Sequence, residues 1–212
     1  MIQRTLFFAF FNVFCLTTTF VLGQKPIVIK LNNPSFEDYP RIGSPPKGWL
    51  DCGFEGETPP DTHPTGMFDV SKKPLDGATY LGMVTRDNNT WESVEQKLKS
   101  PLLEDVTYTF SLYLAQSKTY NSQSRLTLKD VNYNTPTIVR IWAGTDRCTK
   151  KELLAQSQPI ESTNWEKFNF TFTPKSNYDY FLIEVFYKAR TAFPYNGHIL
   201  VDKASDIVPE KK

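Results

Sequence analysis

Histidine and cysteine are nearly missing from this sequence, with two of the former and three of the latter in 212 residues. So few thiols and imidazoles do not fit the four-ligand spacing of a structural zinc site. His63, between Thr62 and Pro64, reads as a loop residue. The sequence also lacks a Gly-x-Ser-x-Gly elbow, a His-Glu-x-x-His pair and a phosphate-cradling glycine loop. No catalytic residue can therefore be named, and the chain is expected not to be an enzyme. Excess charge of one sign is absent as well, since the formal net charge is +1. With no basic stripe and no polybasic run, neither nucleic acid nor an anionic membrane surface is expected as a partner.

Long apolar runs are absent but for one, at the start. Residues 6–22 are nearly charge-free, follow Arg4 and precede the small Gly23. That order is expected of a secretory signal peptide over 1–23, cut near Gly23, with one domain over 24–212. It places the mature chain in the periplasm, on the outer cell surface or outside the cell, with no membrane span left after cleavage. Once Arg4 is gone, the remaining 23 Lys and Arg match 23 Asp and Glu. Cys52 and Cys148 are then the only thiols. In an oxidising compartment they are expected to form a disulfide, with two separate buried thiols as the alternative.

Helical periodicity is scarce, whereas aromatics are plentiful at 16 Phe, 10 Tyr and 4 Trp. Strict alternation marks Tyr108–Gln116, where Tyr108, Phe110, Leu112 and Leu114 share a face. Residues 137–143 alternate as well, with Val139, Ile141 and Ala143 against Ile138, Arg140 and Trp142. Further strands are expected at 27–31, Tyr80–Thr85, 94–98, 165–173, 180–187 and 199–201. Residues 148–156, rich in Lys, Glu and Leu, are expected to form one short helix. The proline-rich stretch 32–66 reads as a long loop. The expected fold is all-β: a two-sheet antiparallel sandwich with long loops.

Particular segments carry a resemblance. Asn33-Pro34-Ser35-Phe36-Glu37 and Gly48-Trp49 stand early, Asp76-Gly77-Ala78-Thr79-Tyr80-Leu81-Gly82 in the middle, and Ile199-Leu200-Val201-Asp202 late. In this order they resemble the galactose-binding-like jelly-roll superfamily, which includes many carbohydrate-binding modules. With Glu57-Thr58-Pro59-Pro60-Asp61 and the segment Arg86 to Glu92, the chain is similar to secreted bacterial envelope proteins, some gliding-associated, that carry such a module. The resemblance implies a structural Ca²⁺ held by Glu37 and Asp202, with Asp38 nearby. Lys203 departs from the acidic or amide residue that relatives place there. Two carboxylates with loop carbonyls are a donor set that calcium accepts.

Alternation also marks a candidate ligand surface. Trp142, Arg140, Tyr113 and Glu184 all point away from the core-facing residues of their strands. On neighbouring strands they would share one concave face, where rings cover sugar C–H groups and charges bind hydroxyls. The alternative is a minor core with a buried Arg140–Glu184 pair. Trp91 and Arg86 form a second candidate among rim loops. Three functions follow: a non-catalytic module binding a polysaccharide or glycan, a docking protein for an envelope partner, and a glycoside-active enzyme using paired carboxylates.

Overall fold

The computed structural model describes residues 26–210, and the expected signal peptide lies outside the described residues. The strands, in chain order, are β1 (Leu50–Asp51), β2 (Asp61–His63), β3 (Tyr80–Thr85), β4 (Ser93–Leu102), β5 (Tyr108–Gln116), β6 (Asn121–Gln123) and β7 (Asp130–Asn132). After these come β8 (Thr137–Gly144), β9 (Glu152–Gln156), β10 (Glu166–Phe172), β11 (Tyr178–Tyr187), β12 (Gly197–Asp202) and β13 (Val208–Pro209). One 3-10 turn, Met67–Asp69, is the only helical piece among the described residues. No helix there is long and apolar enough to cross a membrane.

Two antiparallel sheets stack face to face. The first runs β1-β4-β11-β8-β9; the second runs β10-β5-β12-β3-β2, with β13 also on β5. The expected all-β sandwich is therefore present. Alternation builds its centre: Phe181, Ile183 and Val185 from β11 and Val139, Ile141 and Ala143 from β8 meet Phe110, Leu112, Leu114, Ile199 and Val201 from the second sheet. Phe36 belongs to the same cluster, stacked on Trp49 with ring centres 5.0 Å apart. The first and last parts of the described residues lie together, because Ile29 pairs with Ile207 and Ala204 N–H donates to the Pro34 carbonyl.

A smaller core lies on the outer face of the second sheet. Tyr80, Val84, Ala115 and Leu200 project there and are covered by Val70, Phe68, Tyr120 and Tyr133. The β6–β7 hairpin and the 3-10 turn thus act as a partial third layer.

The expected helix over 148–156 is corrected. Glu152–Gln156 is an edge strand on β8, with Ala155 opposite Ile141 and Leu153 opposite Trp142. Local preference for helix amounts to a few tenths of a kcal/mol per residue, less than a ladder and a half-buried face contribute. Residues 27–31 contribute one bridge instead of a full strand, and β2 emerges inside the proline-rich stretch.

Candidate functional site

Cys52 and Cys148 are joined, with sulfurs 2.07 Å and Cα atoms 5.2 Å apart. Glu95 approaches both sulfurs and accepts the Cys148 N–H at 2.7 Å. The disulfide occupies both thiols, so this group does not read as a metal site. The bridge clamps the segment after β1 to the β8–β9 connection, and both lie over the outer face of the first sheet.

On that face, register places Leu182 opposite Trp142, Glu184 opposite Arg140 and Phe186 opposite Ile138. Three of the expected residues are therefore neighbours, and Trp91 joins them. Trp142 and Trp91 each donate an indole N–H to Glu184, both at 2.7 Å, and the Lys150 ammonium pairs with the same carboxylate. Arg140 Nη1 stands 4.0 Å away. Glu184 is 1 % exposed, and its two oxygens are already bonded. It therefore fixes the rings from beneath and offers no free oxygen to a ligand.

An open groove lies beside this closed cluster. Its floor is Ile138, Arg140 and Phe186; its far wall is the segment from Tyr187 to Pro194, and its volume is about 400 Å³. The Arg140 guanidinium lies 3.4 Å over the Phe186 ring, and its buried Nε has no hydrogen-bond partner. Burial depresses the Arg140 pKa, and the Glu184 charge opposes the shift. Arginine remains charged at working pH regardless. Lys188 and Arg190 add two more cations, while no carboxylate lines the groove. Phe193 is 80 % exposed at the rim. The wall is anchored: Tyr195 Oη accepts the Lys188 N–H and donates to the Pro136 carbonyl, both at 2.7 Å.

The other expected residues lie elsewhere. Tyr113 is on β5 of the second sheet, opposite Lys167 and Asp202, and shares no surface with Trp142. Alternation fixed its face but not its sheet. Arg86 is 2 % exposed, paired with Glu92 and bonded to the Thr58 carbonyl and hydroxyl at 3.0 Å each. It lies inside the protein and is not a rim residue.

Glu37 and Asp202 face one loop, but as acceptors. Glu37 takes the Ala78 N–H at 3.0 and 3.1 Å, and Asp202 takes those of Leu75 and Asp76 at 2.8 and 3.0 Å. Lys203 N–H donates to the other Asp202 oxygen at 2.7 Å. These amide N–H groups let the two carboxylates hold the 75–79 loop against the end of β12. Gly77 makes this approach feasible. Its φ is +61°, and an added Cβ would lie 2.0 Å from Glu37 Oε1. Gly77→Ala is expected to destabilise the fold by about 1–3 kcal/mol through strain and a displaced carboxylate. The shift in urea midpoint measures it, and an unchanged midpoint would refute the clamp.

Lys150, Phe186, Lys188, Arg190 and Phe193 are absent from the expected site. The cations and ring in 188–193 follow a strong strand, and this was the one available signal.

No protein-family model matches the chain, and no curated protein matches it in sequence. Solved structures do match in fold. A cyclase from Fischerella sp. TAU aligns over 87% of this chain and 97% of its own, with a TM-score of 0.53 and 16% identity. The K2 cleaved adhesin domain of Lys-gingipain aligns over 84% and 96%, with a TM-score of 0.50 and 11% identity. The CBM22-1 xylan-binding domain of Paenibacillus barcinonensis Xyn10C aligns over 78% and 88%, at 0.46 and 11%. The expectation of a chain that is not an enzyme is overturned here, because enzymes stand among these neighbours. What the likenesses to the cyclase and the adhesin domain establish is a shared β-sandwich, a fold that hosts more than one function.

Proposed function

We propose that this is an exported protein that binds carbohydrate in the Arg140–Phe186–Phe193 groove, and that its ligand carries acid groups such as uronate carboxylates or sulfates. The groove itself carries this reading: three cations and three aromatic rings surround about 400 Å³ with no carboxylate in the lining. Rings cover the apolar face of a pyranose, and guanidinium groups bind carboxylate or sulfate in paired hydrogen bonds.

The test is affinity electrophoresis of the mature chain in gels containing polygalacturonate, a sulfated polysaccharide or neutral xylan. Retardation is expected in the acidic gels. Phe193→Ala is expected to weaken it about tenfold, the worth of one stacked ring. Retardation should also fade between about 10 mM and about 1 M salt, as the Debye length shrinks from about 30 Å to about 3 Å. Equal retardation of wild type and Phe193→Ala, or none in any gel, would overturn the reading. Trp142→Ala is a poorer probe, since it strips a donor from the buried Glu184.

A further inference from the structure

The two histidines, scarce and far apart in sequence, come together on the opposite side of the molecule. β3 runs between β2 and β12, and its Gly82 lies opposite Asp61 on one side and Leu200 on the other. His63 from β2 and His198 from β12 lean over that glycine. A Cβ on Gly82 would stand 2.7 Å from His198 Nε2 and 2.9 Å from His63 Nε2, so both nitrogens border one point above the strand. Asp61 Oδ2 lies 3.7 Å from His63 Nε2 and accepts the Tyr120 hydroxyl at 3.1 Å. The Tyr120 ring, 4.2 Å from that of His198, closes the top.

His63 is 0 % exposed and His198 1 %, yet all four ring nitrogens lack a hydrogen-bond partner. Buried polar groups are normally bonded, and two unpartnered Nε2 atoms bordering one point call for an occupant. Neutral imidazole is the form with a lone pair to give. Asp61 is buried beside the two histidines, and its Oδ1 accepts the Gly43 N–H at 2.7 Å.

We propose that Asp61, His63 and His198 are the protein ligands of a divalent transition-metal ion of the zinc type, enclosed between the second sheet and the β6–β7 hairpin. Two imidazoles and a carboxylate suit zinc or its neighbours in the series and suit calcium poorly. The three side chains are more widely spaced than a closed ligand set. Binding therefore requires the imidazoles to turn inward, and no hydrogen bond restrains either ring. Because the place is enclosed, the ion enters as the chain folds.

The test is the zinc content of the mature chain, purified from zinc-supplemented culture and exchanged by gel filtration. About one equivalent per chain is expected. Protein unfolded in chelator and refolded with Co²⁺ should show visible ligand-field bands of a nitrogen- and oxygen-ligated ion. Asp61→Asn, which keeps the shape and can still face Gly43 and Tyr120, should bind at least about tenfold more weakly. His63→Gln with His198→Gln should retain no zinc. Wild-type protein that holds no zinc and refolds colourless with Co²⁺ would overturn the proposal, assigning the space to buried water. Zinc retained undiminished by the folded double variant would overturn it as well, by placing the ion elsewhere. The wild-type measurements decide the matter even if a variant does not fold.

Discussion

Arg86→Met is expected to lower the stability of the protein by about 3–5 kcal/mol, the loss that follows when one partner is taken from a buried ion pair. Arg86 and Glu92 are 2 % and 3 % exposed, and the guanidinium also bonds Thr58 and lies 3.4 Å from Glu57. Glu92 is pinned from the other side by the Val84 N–H at 3.0 Å, so it cannot swing out to water when its partner goes. Burial already pushes Glu92 up to about 8, with Arg86 opposing and Asp61 adding to the rise. Removing the guanidinium raises it further. The sign follows from linkage: between the unfolded value of 4.5 and the folded value, the native state holds more protons than the unfolded one. Stability therefore declines as pH rises through that window, and the variant extends the window upward. Urea unfolding at pH 6 and pH 9 should show a deficit at both, larger at pH 9. The double variant Arg86→Met, Glu92→Leu should recover most of it, because a well-packed apolar pair replaces a buried ion pair at little cost. A deficit below about 1 kcal/mol, or one independent of pH, would show that the pair is not held as described.

The reach of the sequence follows from the range of each interaction. Alternation is local and survives translation into structure. Tyr80–Thr85 and Tyr108–Gln116 have the expected bounds, and Arg140, Trp142 and Glu184 project from one sheet face as their periodicity requires. Which sheet a strand joins depends on partners distant in the chain, and that is why periodicity alone does not separate Tyr113 from residues it never meets. Glu152–Gln156 shows the same limit: Lys, Glu and Leu favour a helix, and the exposed edge of β8 imposes a strand. Arg86 looked like a loop cation because sequence does not reveal depth. The acceptor that consumes it, Glu92, returns across a turn to its side. His63 gave the weakest signal of all. β2 has three residues among prolines, and its ladder exists because β3 offers an edge. Only that ladder brings His63 within reach of His198.

Replacing both cysteines with alanine is expected to have the largest effect on stability, a loss of about 4–5 kcal/mol. In the chain-entropy account the cross-link restricts the unfolded chain, and the restriction grows with the logarithm of the loop it closes. Here the separation is 96 residues, about half of the described chain. Unlike the Arg86 deficit, this one should hardly vary with pH, since it originates in the unfolded state. Cys148 is exposed, so dithiothreitol acting on wild-type protein should reproduce most of the shift in urea midpoint. The bridge also has a local role. Cys52 N–H donates to the Ser93 carbonyl at 2.9 Å, which ties its segment to β4 without the sulfur. Phe54, two residues on, packs edge-on against Trp91 at 4.8 Å. Lys150, two residues beyond Cys148, caps Glu184. The Cys148 side is tied without the sulfur as well, through the Cys148 N–H to Glu95 at 2.7 Å and the Lys151 N–H to the Ala143 carbonyl at 2.9 Å, so cutting the bridge frees neither side far. Trp91 fluorescence should therefore change modestly in the folded, reduced protein, while a Lys150→Met variant of the oxidised protein should change it more, because Glu184 then loses its ammonium partner. If reduction and Lys150→Met alter the fluorescence equally, the disulfide and not Lys150 itself keeps Glu184 covered. If reduction leaves the urea midpoint unmoved, the ends of the loop are held by noncovalent contacts alone and the entropic account fails for this chain.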